Sequence, residues 1–250
     1  MPKQDAITTD QLEKFFARFV EFENRHRNDR LEEAKAAFAQ IKSGADVALA
    51  DVRAQDRQMA RGFNIFSVLG VGYAEVRLHS ALLAELLCAD GTHGQGDLFQ
   101  ASFINYVARA LAKSGRPGLS ASPTKFGKWN VVPEYTLPSG RRLDILLRNS
   151  RARSLIVIEN KVWAGDQTNQ IEDYLMWMEK QARYDADKRI LVYLTPGGGM
   201  ASSTRRHDAY VRMSYRWDIT NWLTTVMPRV AAPPVRETLA QYLELLPSLY

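Results

Sequence analysis

The chain has 250 residues, 46% hydrophobic and 24% charged, which leaves room for one large domain or a core domain with an appendage. No apolar run approaches the roughly 20 residues of a membrane-spanning helix, and the single Cys88 excludes an internal disulfide or a multi-cysteine zinc site. A net charge of +5 and a pI of about 9.3 suit a polyanionic partner without requiring one.

The chain begins MPKQDAITTDQLEKFF, which lacks the apolar core of a signal peptide, so a cytoplasmic location is expected. Thr8-Thr9-Asp10 can cap a first helix whose stripe is Leu12, Phe15, Phe16, Phe19, Val20 and Phe22. Leu31, Ala34, Phe38 and Ile41 continue a second helical pattern, which Ser43-Gly44 is expected to stop. Val47 to Arg61 reads as a third helix, with Gly62 as its stop. Residues 1–62 thus form a helical extension that either packs on the core or pairs with a partner, a second copy included. Residues 63–250 form the main domain.

Within that domain an apolar connector, Phe63 to Gly70, leads to a helix over Tyr73 to Ala89. Glu75 falls in its first turn, where the helix dipole favours a carboxylate. The glycine-rich turn Asp90 to Gly96 has no phosphate-loop lysine, and a helix from Leu98 to Lys113 follows. After a loop with Lys125 and Lys128 come three strands: Trp129–Leu137, Arg141–Arg148 and the aliphatic run from Leu155. Short turns at Pro138-Ser139-Gly140 and Ser150 to Arg153 make them a meander. A helix beginning at Asp166, a buried strand over Lys188–Thr195, an edge strand near Tyr210–Tyr215 and two closing helices complete the order. Asp218 is expected to cap the first of those helices. A strand, crossover helix and further strand imply parallel packing, so the fold class is α/β with a mixed sheet.

The third strand, Leu155-Ile156-Val157-Ile158-Glu159-Asn160-Lys161-Val162, ends in charge that is costly to bury. Alternation puts Glu159 and Lys161 on one face and the Asn160 side chain on the other. A four-residue loop at Ser150 to Arg153 places Asp144 opposite Glu159, with Cβ atoms about 5 Å apart. Two carboxylates that close need a proton or a divalent cation between them, and hard oxygen ligands favour Mg2+ or Mn2+. Gln170 and Tyr174 share a helical face that the turn at Trp163 to Asp166 can swing toward that point. Trp129 and the flanking lysines offer a rim for sugar-phosphate.

Asp144, fourteen intervening residues, then Glu159-Asn160-Lys161 resembles the PD-(D/E)XK nuclease superfamily. Gln170-Ile171-Glu172-Asp173-Tyr174 is similar to the Gln-x-x-x-Tyr motif of several of its branches, RecB-like ones included. The segment with Glu75, His79-Ser80, Leu82-Leu83, Leu86-Leu87 and His93-Gly94-Gln95-Gly96 is similar to one uncharacterised prokaryotic branch. Leu143 stands where many members carry proline. The resemblance implies a restriction-endonuclease-like core, α-β-β-β-α-β. It also implies a metal-dependent endonuclease giving a 5′-phosphate, acting on DNA in preference to RNA, with restriction or phage defence as a setting. It implies metal ligation by Asp144, Glu159, the Asn160 carbonyl and Glu75. Lys161 would activate the attacking water, Gln170 would orient water or phosphate, and Tyr174 would support that helix or touch nucleic acid. Arg141 and Arg142 would contact phosphates. The rival readings are an RNA-cleaving nuclease and a catalytically silent binding or assembly module.

Overall fold

The structure is a computed structural model that describes residues 9–60, 62–116 and 127–250. It divides into two compact units, Met1–Phe63 and Asn64–Tyr250. Among the described residues the first holds one 51-residue helix, α1 (Thr9–Met59), rather than three. Ser43-Gly44 does not stop it. A mid-helix glycine costs about 1 kcal/mol relative to alanine, which the surrounding Ala, Leu, Glu, Lys and Arg offset. Gly44 is also absent from the positive-φ glycines, so it makes no left-handed cap; Ala60, with φ 44°, adopts that conformation just past the helix end. Within this unit Phe15, Phe19, Phe22, Phe38 and Ile41 are all exposed.

In the second unit the expected connector contains a helical turn, α2 (Ile65–Val68), capped by the Asn64 side chain. A π-helical stretch, Glu75–Ser80, runs into α3 (Ala81–Leu87), and α4 (Leu98–Lys113) follows. The sheet has the order β1-β2-β3-β4-β5: β1 (Asn130–Thr136), β2 (Arg142–Asn149), β3 (Ser154–Asn160), β4 (Arg189–Thr195) and β5 (Val211–Ser214). The first three are antiparallel, and β3, β4 and β5 are parallel. The crossover between β3 and β4 carries α5 (Gln170–Glu179), and α6 (Thr220–Val226) and α7 (Pro233–Leu245) close the chain. The fold is thus a mixed five-stranded sheet flanked by helices, of the restriction-endonuclease-like α/β class.

The uninterrupted apolar run of β3 reflects cover on both faces, and all seven of its residues are buried. Ile156 and Ile158 point toward Leu83, Phe99, Phe103 and Trp222 of the helical layer. Leu155 and Val157 point toward Ile171, Tyr174 and Met178 of α5. Asp166 does not start α5. Its Oδ2 accepts from the Ser202 and Ser203 N–H groups, and its Oδ1 accepts from the Tyr193 hydroxyl. That pins the loop after β3 to the loop after β4, and the helix begins after Asn169, which is left-handed with φ 55°. Asp218 likewise bonds back to the Ser214 N–H and hydroxyl, while Ser214 caps the following π-helical turn. No described helix is long and apolar enough to cross a membrane.

Candidate active site

The hairpin joining β2 and β3 pairs Asn149 with Ser154 and Ile145 with Ile158. Continued by one residue, that register sets Asp144 against Glu159 at the mouth of the sheet. Asp144 Oδ2 accepts from the Asn160 N–H at 2.7 Å, which ties the β2 carboxylate to the end of β3. Neither Arg141 nor Arg142 takes Asp144 as a partner: Arg141 pairs with Asp173, and Arg142 with Glu134 at 2.5 Å.

Glu159 is 1% exposed and is gripped on one oxygen only. Its Oε1 meets Lys161 Nζ at 2.8 Å and accepts from Gln170 Nε2 at 2.6 Å. The same Gln170 amide donates to the Tyr174 hydroxyl at 2.9 Å, which donates to the Arg142 carbonyl at 2.7 Å. The four-residue spacing of Gln170 and Tyr174 on α5 therefore anchors the carboxylate to β2 from the side. Glu159 Oε2 is buried with no hydrogen-bond partner among the described residues. The Asn160 side chain points to the opposite face, donating to the Ser80 hydroxyl at 3.0 Å and accepting from the Tyr215 hydroxyl at 2.8 Å.

The electrostatics follow from this crowding. Burial pushes Asp144 up to about 6, with the Asn160 N–H and Lys161 holding it back. Burial and the neighbouring Asp144 charge push Glu159 up to about 8, with Lys161 only partly offsetting them. Burial pulls the Lys161 ammonium down, but Glu159, Asp144 and Glu75 outweigh it and hold Lys161 above its ordinary value. Lys161 thus stays charged, while Glu159 gives up its proton only at a cost that a bound cation would offset. Asp144 and Glu159 are hard oxygen donors, and the orphaned Glu159 Oε2 is a coordination position without a protein partner, so the pair fits a divalent metal. Among the described residues no three His, Cys, Asp or Glu side chains group closely enough to hold a metal. Glu75 in particular is engaged elsewhere: its Oε2 accepts from the Val162, Trp163 and Ala164 N–H groups.

A cleft of about 690 Å³ opens here, lined by Glu75, Asp144, Glu159, Lys161, Gln170 and Tyr174, with Arg141 and Arg142 on its wall. Thr136 at the end of β1, Ser139 and Gly140 of the β1–β2 turn, and Gly165 and Gln167 of the β3–α5 turn also line it. Sequence reasoning did not supply those residues, because only the fold brings the two turns together.

Two expected contacts, Lys128 and Trp129, are not brought to the site, and others are already engaged within the protein. Lys128 lies beyond the start of β1, where Asn130 pairs with Arg148, at the end of the sheet away from Asp144. It pairs there with Asp90. Trp129 beside it is buried and is no rim. Lys125 lies outside the described residues. Tyr174 is 1% exposed, and its hydroxyl is held between Gln170 and the Arg142 carbonyl, a position that supports Gln170. Arg141 lines the cleft, but its guanidinium is held by Asp173, Gln167 and the Thr168 carbonyl. His79 is buried between the Tyr242 hydroxyl and the Gly72 carbonyl, a packing role.

The family model of the PD-(D/E)XK nuclease superfamily matches residues 63–244, most of the chain and all of the cleft. No curated protein and no solved structure matches the chain.

Proposed function

Because this chain belongs to the PD-(D/E)XK nuclease superfamily, we propose that it is a cytoplasmic, divalent-metal-dependent nuclease that hydrolyses phosphodiester bonds, a DNA endonuclease in the first instance. The observation that carries the reading is the buried Glu159, held by Lys161 and Gln170 on one oxygen and left without a partner on the other, with Asp144 alongside. Asp144, Glu159 and the Asn160 carbonyl would hold Mg2+ or Mn2+. Such a cation supplies Lewis acidity at a phosphoryl oxygen and lowers the pKa of water.

The protein's own groups do the rest. Lys161, charged and 2.8 Å from Glu159, places a positive group where the attacking water and a non-bridging phosphate oxygen would meet. Gln170 fixes the rotamer of Glu159, and Tyr174 fixes Gln170, so the metal-binding carboxylate is preorganised. Glu75 takes a positioning role, because its carboxylate holds the backbone just beyond Lys161. Arg142, with its guanidinium partly exposed, is the cleft cation best placed to meet a phosphate. We also take the exposed Phe stripe of α1 as a surface for a second copy of the chain.

Purified full-length protein incubated with plasmid, single-stranded DNA and RNA tests the activity and separates the substrate classes. Cleavage with Mg2+ or Mn2+, abolished by chelator, is expected. No cleavage of any substrate with either metal would leave only a silent nuclease fold.

A further inference from the structure

Two large aromatic side chains stand in solvent, each within two residues in the chain of residues that line the cleft. Tyr73 is 66% and Trp163 55% exposed, and their rings pack edge to face with centroids 5.3 Å apart. Trp163 follows Lys161 by two residues, so their Cα atoms lie within about 7 Å. Its neighbour Ala164 lines the cleft, as do Glu75 and Val76, which follow Tyr73 closely in the chain. Glu75 joins the two segments, accepting from the N–H groups of Val162 at 2.6 Å, Trp163 at 3.2 Å and Ala164 at 3.4 Å. One carboxylate therefore fixes the backbone of Trp163 to the segment carrying Tyr73, and fixes both to the cleft wall.

A ring left in water forgoes the gain from burial, so a fixed exposed pair beside a reactive cleft calls for an occupant. That occupant must be flat, apolar on its faces and within about one nucleotide of Lys161. A nucleobase meets all three conditions, and bases stack on Trp and Tyr with little regard to sequence. In an intact duplex those faces are covered by neighbouring base pairs, so only an unpaired base can reach a side-chain ring. Lys161 and Arg142 in the same cleft supply positive charge for the attached sugar-phosphate.

Resting on the nuclease reading above, we propose that Tyr73 and Trp163 form a stacking platform for an unpaired base next to the scissile phosphate, and that the cleft takes a single strand in preference to intact duplex. The test is equilibrium binding by the full chain, in chelator so that nothing is cut, to dye-labelled oligo-dU, oligo-rU and a blunt duplex. Wild type is expected to favour single strand. Trp163→Ala should weaken single-strand binding about tenfold or more, Trp163→Phe should keep most of it, and duplex binding should change little. A 2-aminopurine base in the strand should be quenched by wild type and not by Trp163→Ala. Loss on only one of the two oligonucleotides supports the platform and names its sugar.

Wild-type single-strand affinity in both Trp163→Ala and Tyr73→Ala would overturn the platform, as would equal weakening of duplex and single strand. A sedimentation shift from dimer to monomer in Trp163→Ala, with single-strand affinity intact, would assign the pair to a second copy instead. If wild type cleaves with metal while Trp163→Ala binds normally, the platform alone fails. If wild type neither binds nor cleaves, the nuclease reading fails first.

Discussion

At the scale of single residues, the site is built around a carboxylate that the protein only half satisfies. Glu159 sits at the end of an apolar strand, and burial with Asp144 beside it raises it to about 8. A carboxyl whose folded pKa exceeds its unfolded value keeps its proton in the folded state while the unfolded chain has released it. Stability must then fall as pH rises through that interval. Buried His79 acts in the opposite sense below its ordinary 6.5, because its folded pKa is lowered. The clean window is therefore about pH 6.5 to 8. In it the metal-free protein should lose a few degrees of melting temperature, measured by circular dichroism, and Glu159→Gln should flatten the slope. A melting temperature that climbs across this window in wild type would contradict the burial argument. Tyr174→Phe removes one hydroxyl that both supports Gln170 and satisfies the Arg142 carbonyl. It should cost about 1–3 kcal/mol in denaturant unfolding and lower any cleavage rate less than loss of Lys161 does.

At the scale of elements, the β2–β3 hairpin explains why the pair was legible in the sequence. A four-residue loop between two buried strands fixes the register, and the register fixes Asp144 opposite Glu159. The same rule should have removed Lys128 and Trp129 from the site, since antiparallel pairing of β1 with β2 sends the start of β1 to the far end of the sheet. Proximity in sequence stood in there for direction along a strand. What the sequence could not show was long-range side-chain traffic. Glu75 reads locally as a helix-start carboxylate, yet it bonds the turn after β3. Asp166 reads as a cap, yet it binds the loop after β4. Asn160 shows how closely the two faces of β3 are linked, because its backbone N–H holds Asp144 while its side chain holds Ser80 and is held by Tyr215. Asn160→Leu should therefore destabilise the fold by about 2 kcal/mol or more in urea unfolding, because the buried Ser80 and Tyr215 hydroxyls each lose a hydrogen bond. An unchanged midpoint would show that the far face contributes nothing to holding the site.

At the scale of the whole molecule, a core with both sheet faces covered carries the cleft, and a long helix with exposed aromatic residues makes up the other unit. Phe15, Phe19 and Phe22 share a stripe at four- and three-residue spacing, with the Phe15 and Phe19 rings stacked at 6.3 Å. A single helix of this length has no core of its own, so a partner surface is the natural place for that stripe. Replacing the three with serine in the full chain should lower the oligomeric state seen by sedimentation, and an unchanged state would place the stripe outside any self-association. The central claim concerns Asp144, Glu159 and Lys161 acting together on a phosphodiester. Its most direct test is the initial rate of Mg2+-dependent cleavage by Lys161→Ala and Glu159→Ala, each first shown to be folded, against wild type. A fall of about 10² or more is expected for each, and cleavage at the wild-type rate by either variant would contradict the site.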